Sequence, residues 1–399
     1  MFAIALTGPG QTIGVSVFID WFALDLDLSR ATISTAYLIG TLGGGLSMPR
    51  VGQAIDKYGV RRAITLIGLL FSGAIAFMAG VTGVVWLTVG FFGIRLLGQG
   101  SLSMATTVAV AHWFERRRGL AIGLTMTVGG ALMALVPVGL NAVIEAVGWR
   151  SAWLVAALVV LVTVVPMGWF GFIDRPEDVG QTVDGIPSDD ATRTKPRRGD
   201  APSVTAREAV RTRRFWVVAS VAGATSMLIT AFNFHQIALL GEAGLTPTAA
   251  AAMFLPQVLG TAAAGVVTGA AADRFGTRFA PAAGMVLLIS AQILGAGVSA
   301  GGSAVLYAIA LGATGGAVRT MTGTLLPAWF GTLHLGAIQG SLTFVSVIAS
   351  AIGPLAFSLA QGALGTYSAA LLWSTTISAA VLAFSLTAPS TLPQRVPAG

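Results

Sequence analysis

The sequence contains no cysteine, which excludes a disulfide framework, a thiol nucleophile, an iron–sulfur cluster and a thiolate zinc site. Charge is nearly as scarce. Only 10% of the 399 residues are Asp, Glu, Lys or Arg, against about 25% in soluble domains, while 55% are hydrophobic and the mean hydropathy is +0.81. A chain of this kind cannot keep a globular surface wet, so it reads as a polytopic membrane protein. Lysine is almost missing too, since 21 of the 23 basic residues are Arg. The three histidines and few acids form no metal-ligand cluster and no Ser-His-Asp set, and no glycine-rich nucleotide loop follows a strand. Neither a metal, nor a cofactor, nor an enzymatic function is expected. What is abundant is glycine, 51 residues on an alanine-rich background, which lets helices approach backbone to backbone in lipid.

Apolar stretches of membrane-spanning length recur from end to end, at about 2–22, 31–53, 62–82, 84–112, 119–143, 151–173, 215–240, 247–271, 280–299, 303–330, 335–361 and 366–388. The expected fold class is therefore all-α integral membrane, with twelve transmembrane helices. A net charge of +7 would raise nucleic-acid binding in a soluble chain, but the placement of the charges argues against it. With both termini inside, 19 basic residues fall in inner loops or at the inner ends of spans and only Arg30 and Arg150 on the outer side, the asymmetry of the positive-inside rule. The remaining two, Arg95 and Arg319, lie in the interior of spans. The expected location is the plasma membrane of a bacterial cell, multi-pass, with cytoplasmic termini. The first span begins at Phe2 without a basic region before it and reads as a retained helix; a start upstream of Met1 is the alternative.

Residues 174–214 hold nine basic and eight acidic residues with Pro, Gly, Ser and Thr and no apolar period, so they read as a solvated linker. The linker divides the chain into an N-terminal six-helix bundle (1–173) and a C-terminal one (215–390), followed by a tail (391–399). An internal repeat supports that division. Gly52, Asp56, Lys57, Gly59 and Arg61 recur as Gly269, Asp273, Arg274, Gly276 and Arg278, all at an offset of 217, and Trp113-Phe114 recurs within one residue of it as Trp329-Phe330. A duplicated bundle places its substrate cavity near the bilayer midplane and works by alternating access.

The repeated G-x-x-x-D-[KR]-x-G-x-R, at these positions among twelve spans, resembles the signature of the major facilitator superfamily, and the resemblance covers the whole chain. It implies two pseudo-symmetric six-helix bundles. Thr7-Gly8-Pro9-Gly10-Gln11-Thr12, the run Arg175 to Gly180, and Phe234-His235-Gln236 further resemble the bacterial branch of monocarboxylate porters and the oxalate:formate antiporter. Carriers of that branch place cations deep in helices 8 and 11, whereas 247–271 and 335–361 here contain neither Lys nor Arg. A carboxylate site is thus not inherited with the resemblance. In the superfamily the signature acts as a conformational latch, which would here comprise Gly52, Asp56, Arg61, Gly269, Asp273 and Arg278; a purely topological loop is the plainer reading.

A guanidinium in hydrocarbon costs several kcal/mol unless it faces water or a partner, so Arg95 and Arg319 are the leading substrate-binding candidates; the alternatives are a structural Arg95 bonded to backbone carbonyls of a broken neighbour helix and a structural or conformational Arg319. Helical steps put Arg95, Gln99, Ser103 and Thr106 on one polar stripe. Arg319 lies nearer mid-depth, beside Thr322 and the small Gly315 and Gly316, and its forked donors suit a carboxylate. Gln11 in helix 1, with Asn233 and Gln236 in helix 7, add neutral hydrogen-bonding groups, though each also reads as interhelical glue. Asp20 and His235 are candidates for proton coupling, with an interfacial place open for Asp20. The expected function is secondary transport of a small organic anion such as a monocarboxylate, by proton symport or exchange. The expected partners are that small molecule, the lipid bilayer and protons, and no nucleic acid. Efflux of amphipathic drug-like compounds is the alternative, and a non-transporting membrane sensor the reading from another class.

Overall fold

A computed structural model describes residues 1–114, 118–174, 176–181, 204–275, 279–331 and 335–387. Gly276, Arg278, most of the linker and the tail lie outside the described residues, as do the side chains of Asp56 and Asp273. Among the described residues the regular structure is helical throughout, with no strand.

The helices group into twelve rods in chain order. The first, α1, is broken into Phe2–Ala5, a 3₁₀ turn Gly8–Gly10, Thr12–Ser16 and Ile19–Asp25; α2 is Arg30–Tyr58 and α3 Val60–Met78. Next, α4 runs as Val84–Ile94, a π-helical Arg95–Leu102 and Ser103–Trp113; α5 is Arg118–Met133 with Leu135–Val147; α6 is Trp149–Pro166 with Met167–Gly171. A short helix, Ala206–Ala209, precedes α7, which is Arg213–Phe234 continued after a break by Gln236–Glu242. The rest are α8 (Pro247–Ala252 and Phe254–Phe275), α9 (Ala280–Ala296), α10 (Gly302–Phe330), α11 (Leu335–Leu364) and α12 (Tyr367–Leu386).

Nine of these rods are long and apolar enough to cross a bilayer by length and composition. The three that are not each have a local reason. Gly8-Pro9-Gly10 interrupts α1, because proline supplies no N–H and glycine does not hold a helix. The α2 helix is continuous for 29 residues, but it carries Gly-rich turns and the charges of the signature loop at its end. α9 is apolar but only 17 residues long.

The 217-residue repeat extends beyond the signature into caps and breaks. Ser29 caps α2 by accepting from Thr32 N–H, and Thr246 caps α8 by accepting from Ala249 N–H. Gly148 and Gly365, both at φ near +82°, turn the chain into α6 and α12. Phe18 stands at the last break of α1 and His235 at the break of α7. Helix contacts repeat as well: Gly43 lies on Phe92 and Gly260 on Ile309, two pairs at the same offset.

The described residues form two compact units. One comprises 1–198 with 233–255, the other 199–232 with 256–399. The division therefore does not fall at the linker alone: the end of α7 and the start of α8 group with the first six rods.

Candidate functional site

In the first unit, the break in α1 creates the site's central feature. Gly10 presses on α4 so closely that a Cβ there would overlap the Ile94 carbonyl oxygen, and Gly98 Cα lies 3.1 Å from that position. No larger residue fits this crossing. The freed Gly10 carbonyl accepts from Arg95 Nη1 at 3.3 Å, while Arg95 Nε donates to Thr41 Oγ1 at 3.1 Å and Nη1 to Thr12 Oγ1 at 3.5 Å. The guanidinium also lies 4.9 Å from the Tyr37 ring centre, and the Tyr37 hydroxyl is 2.7 Å from Thr12 Oγ1. At 4% exposure, Arg95 is a buried clamp joining α1, α2 and α4.

The stripe expected on α4 assumed α-helical steps, but residues 95–102 are π-helical, and Ser101 Oγ bonds the carbonyl five residues back, on Leu96. That register change rotates the residues after Leu102 relative to Arg95. Thr106 is buried and bonds Leu102 O, whereas Gln99 keeps a buried Oε1 with no hydrogen-bond partner among the described residues. Gln11 donates from Nε2 to Thr7 Oγ1 at 3.0 Å.

The end of α7 also departs from one straight face. His235 sits in the break, 1% exposed, with its ring against Phe234. Gln236 is 2% exposed and donates to the Ala250 carbonyl at 2.9 Å, so its amide ties α7 to α8. Asn233 is half-buried. Phe234 meets the Tyr37 ring at 4.7 Å. Nearby, Asn141 of α5 donates to Glu145 Oε1 and Thr248 Oγ1 at 2.8 and 2.9 Å, and Thr248 donates to Glu145 at 2.7 Å.

Asp20 is paired with Arg30 at 2.6 Å, both about one-third exposed, and Arg150 holds Asp25 at 2.7 Å as well as the Ala79 and Val81 carbonyls. These groups share the Arg-poor ends of the rods.

In the second unit, glycine brings α8 and α10 together: a Cβ on Gly260, Gly312 or Gly316 would overlap the carbonyl oxygen of Ile309, Gln257 or Thr261. Thr261 Oγ1 adds a bond to Gly312 O at 3.0 Å. Farther along α10, Gly315 faces Ile229 of α7, while Thr320 faces Gly265 and Gly269 of α8. Arg319 projects between those two contacts, 40° around the helix from Gly315 and 60° from Gly316 at about 100° per residue. It is exposed, and no hydrogen bond or ion pair engages its guanidinium among the described residues. Thr322 is nearly buried and returns its hydroxyl to the Arg319 carbonyl at 2.9 Å, so it shapes the helix there.

The signature loop is fastened by a residue that sequence reasoning assigned to the linker. Asp174 accepts from Arg61 N–H at 2.8 Å, capping α3, and its carboxylate oxygen lies 2.6 Å from where a Gly59 Cβ would be. Gly59 also sits at φ +81°. Arg61 Nε donates to Trp169 O and lies over the Trp169 ring, and Trp113 Nε1 reaches Ile173 O. Gly52 packs on Met104 of α4, as Gly269 does on Thr320 of α10. Tyr37 and Thr41 were also missed; their four-residue spacing on α2 was the available signal.

Comparison with known proteins accords with this architecture. A protein of Thermoproteus tenax described as an uncharacterized 38 kDa protein in the 23S RNA operon is 28% identical over 360 residues, covering 89% of this chain and 84% of its own. Monocarboxylate transporter 14 of Homo sapiens is 29% identical over 161 residues, 40% of this chain and 31% of its own. The solved structure of a bacterial homolog to the human lysosomal transporter Spinster, inward-facing and occupied, superposes with a TM-score of 0.71 over 96% of this chain and 94% of that one, at 17% identity, and so shares the fold. The model of the Major Facilitator Superfamily matches residues 1–256. The chain therefore belongs to the Major Facilitator Superfamily, and it is a multi-pass membrane transporter, not an enzyme.

Proposed function

We propose that this transporter is a secondary carrier for a small organic anion, a monocarboxylate being the simplest member of that class, moved by alternating access with proton symport or exchange. The observation that carries the reading is Arg319. A guanidinium within a membrane rod, exposed and without an acidic partner among the described residues, is costly unless a ligand or water meets its charge. A bidentate pair with a carboxylate satisfies both its charge and its geometry. The name of the human relative, a monocarboxylate transporter matched over 40% of this chain, supports the same class.

On this reading Arg95 contributes by holding α1, α2 and α4 in register, and Gln99 and Gln11 supply neutral contacts. Asp56, Arg61 and Asp273 act in the latch with Gly52, Gly269 and Arg278. His235, enclosed at the hinge of α7, is the better placed of the two coupling candidates, since Asp20 is held by Arg30. The Arg-rich ends of the rods face the cytoplasm.

The test is uptake of labelled monocarboxylates into proteoliposomes holding the purified protein, with and without an imposed pH gradient. Saturable uptake above empty vesicles is the expected result, and its acceleration by inward acidification would identify symport. No carboxylate uptake, with export of amphipathic dyes instead, would replace this reading by efflux.

A further inference from the structure

The chain ahead of α7 forms a fixed ledge on the second unit. Val204 N–H donates to the Phe330 carbonyl at the end of α10. Thr205 and Glu208 close a reciprocal capping box on the short helix Ala206–Ala209, so Glu208 turns its carboxylate back onto Thr205 at 2.8 Å. Trp216 Nε1 donates to the Val210 carbonyl at 2.8 Å, and Thr212 Oγ1 accepts from Phe215 N–H. Arg214 is buried against the Trp329 ring. Two contacts to the end of α10 and two to the first turn of α7 thus hold this segment in place, and the capping box fixes the short helix within it.

What this ledge presents is basic. Arg207, Arg211 and Arg213 are exposed, and Trp216 beside them is 48% exposed. Arg213 lies over Phe384 near the end of α12, which keeps its charge at the margin of the apolar rods. Among these residues the only acid, Glu208, is already engaged. An indole whose N–H is satisfied and whose ring, edge-on to Phe215, stays half exposed belongs at headgroup depth, and arginines next to it at that depth meet lipid phosphates.

We propose that Arg207, Arg211 and Arg213, with Trp216, form a binding site for the phosphodiester headgroup of an anionic phospholipid at the Arg-rich end of the second unit. The three guanidiniums take the phosphate oxygens and Trp216 packs along the glycerol and upper acyl chain. The site rests on the membrane insertion of the chain and is independent of the transported substrate.

Purified full-length protein in nanodiscs of phosphatidylcholine, alone or mixed with phosphatidylglycerol, tests it. Phosphatidylglycerol should raise the thermal midpoint, and native mass spectrometry should retain bound lipid. The triple variant Arg207→Gln, Arg211→Gln, Arg213→Gln should lose that stabilisation, with affinity falling about fivefold per arginine and on the order of a hundredfold in all. The corresponding lysine triple should keep most of it, which separates lost charge from lost folding. Arg50→Gln with Arg62→Gln, exposed basic residues of the other unit, should leave it unchanged. Unaltered lipid binding by the glutamine triple, an equal loss in the Arg50 and Arg62 variant, or equal stabilisation by millimolar inorganic phosphate would each overturn the proposal.

Discussion

Two arginines of one chemical type stand in opposite circumstances. Arg95 has its donors on Gly10, Thr12 and Thr41 and its face on Tyr37. Hydrogen bonds inside membrane proteins contribute about 0.6 kcal/mol each, with a maximum near 1.7. Removing several together, and stranding a carbonyl, should cost Arg95→Met roughly 2–3 kcal/mol and lower the thermal midpoint by about 3 °C. Arg319→Ala should leave the midpoint nearly where it was, because its side chain is exposed and makes no bond that holds the helices. A differential scanning measurement in detergent compares the two directly, and an equal drop would show that Arg319 is also structural. Asp174 and Gly59 give a second pair. Asp174→Ala removes the cap of α3 and should cost about 1 kcal/mol, whereas Gly59→Ala combines strain at φ +81° with a clash against the Asp174 carboxylate and should cost more.

The rods were legible in the sequence because apolar length and the spacing of charges are properties of the chain itself. Their interruptions were legible only in part. Gly8-Pro9-Gly10 announced the break in α1 through the chemistry of proline and glycine, but nothing in Arg95-Leu-Leu-Gly-Gln-Gly100 announces a π-helix. Both α1 and α2 press on that segment, at Gly10 on Gly98 and at Gly44 on Leu96, contacts made by residues far away in the chain. The polar stripe drawn with α-helical steps accordingly loses its register after Leu102, and Gln236 is bonded across to α8 after the break at His235. Asp174 was read as linker since its partner, the N–H of Arg61, is 113 residues away. The crossing of α8 on α10 makes a sharper prediction. Gly312→Val would drive a branched side chain into the Gln257 backbone, and the variant should fail to yield a monodisperse protein in size-exclusion chromatography, while Gly323→Val, with open space around it, should be tolerated.

The whole transporter is expected to work by opening and closing opposite ends of its rods. Asn141, Glu145 and Thr248 tie α5 to the first turn of α8, and Tyr37 with Phe234 ties α2 to α7, all within the first compact unit. If those contacts part once per cycle, joining them covalently stops transport. The chain has no cysteine of its own, so Asn141→Cys with Thr248→Cys introduces the only thiols. A short bifunctional crosslinker should abolish uptake by that variant, a cleavable one should allow recovery on reduction, and continued uptake by the crosslinked protein would show that these helices need not separate. The most direct measurement of the anion reading is initial-rate uptake of a labelled monocarboxylate by wild type, Arg319→Lys and Arg319→Ala in proteoliposomes of equal protein content. A charge-assisted contact is worth about 1.5–3 kcal/mol, so alanine should lower kcat/KM by roughly 10- to 150-fold with lysine between the two. Uptake by Arg319→Ala at the wild-type rate would contradict the account.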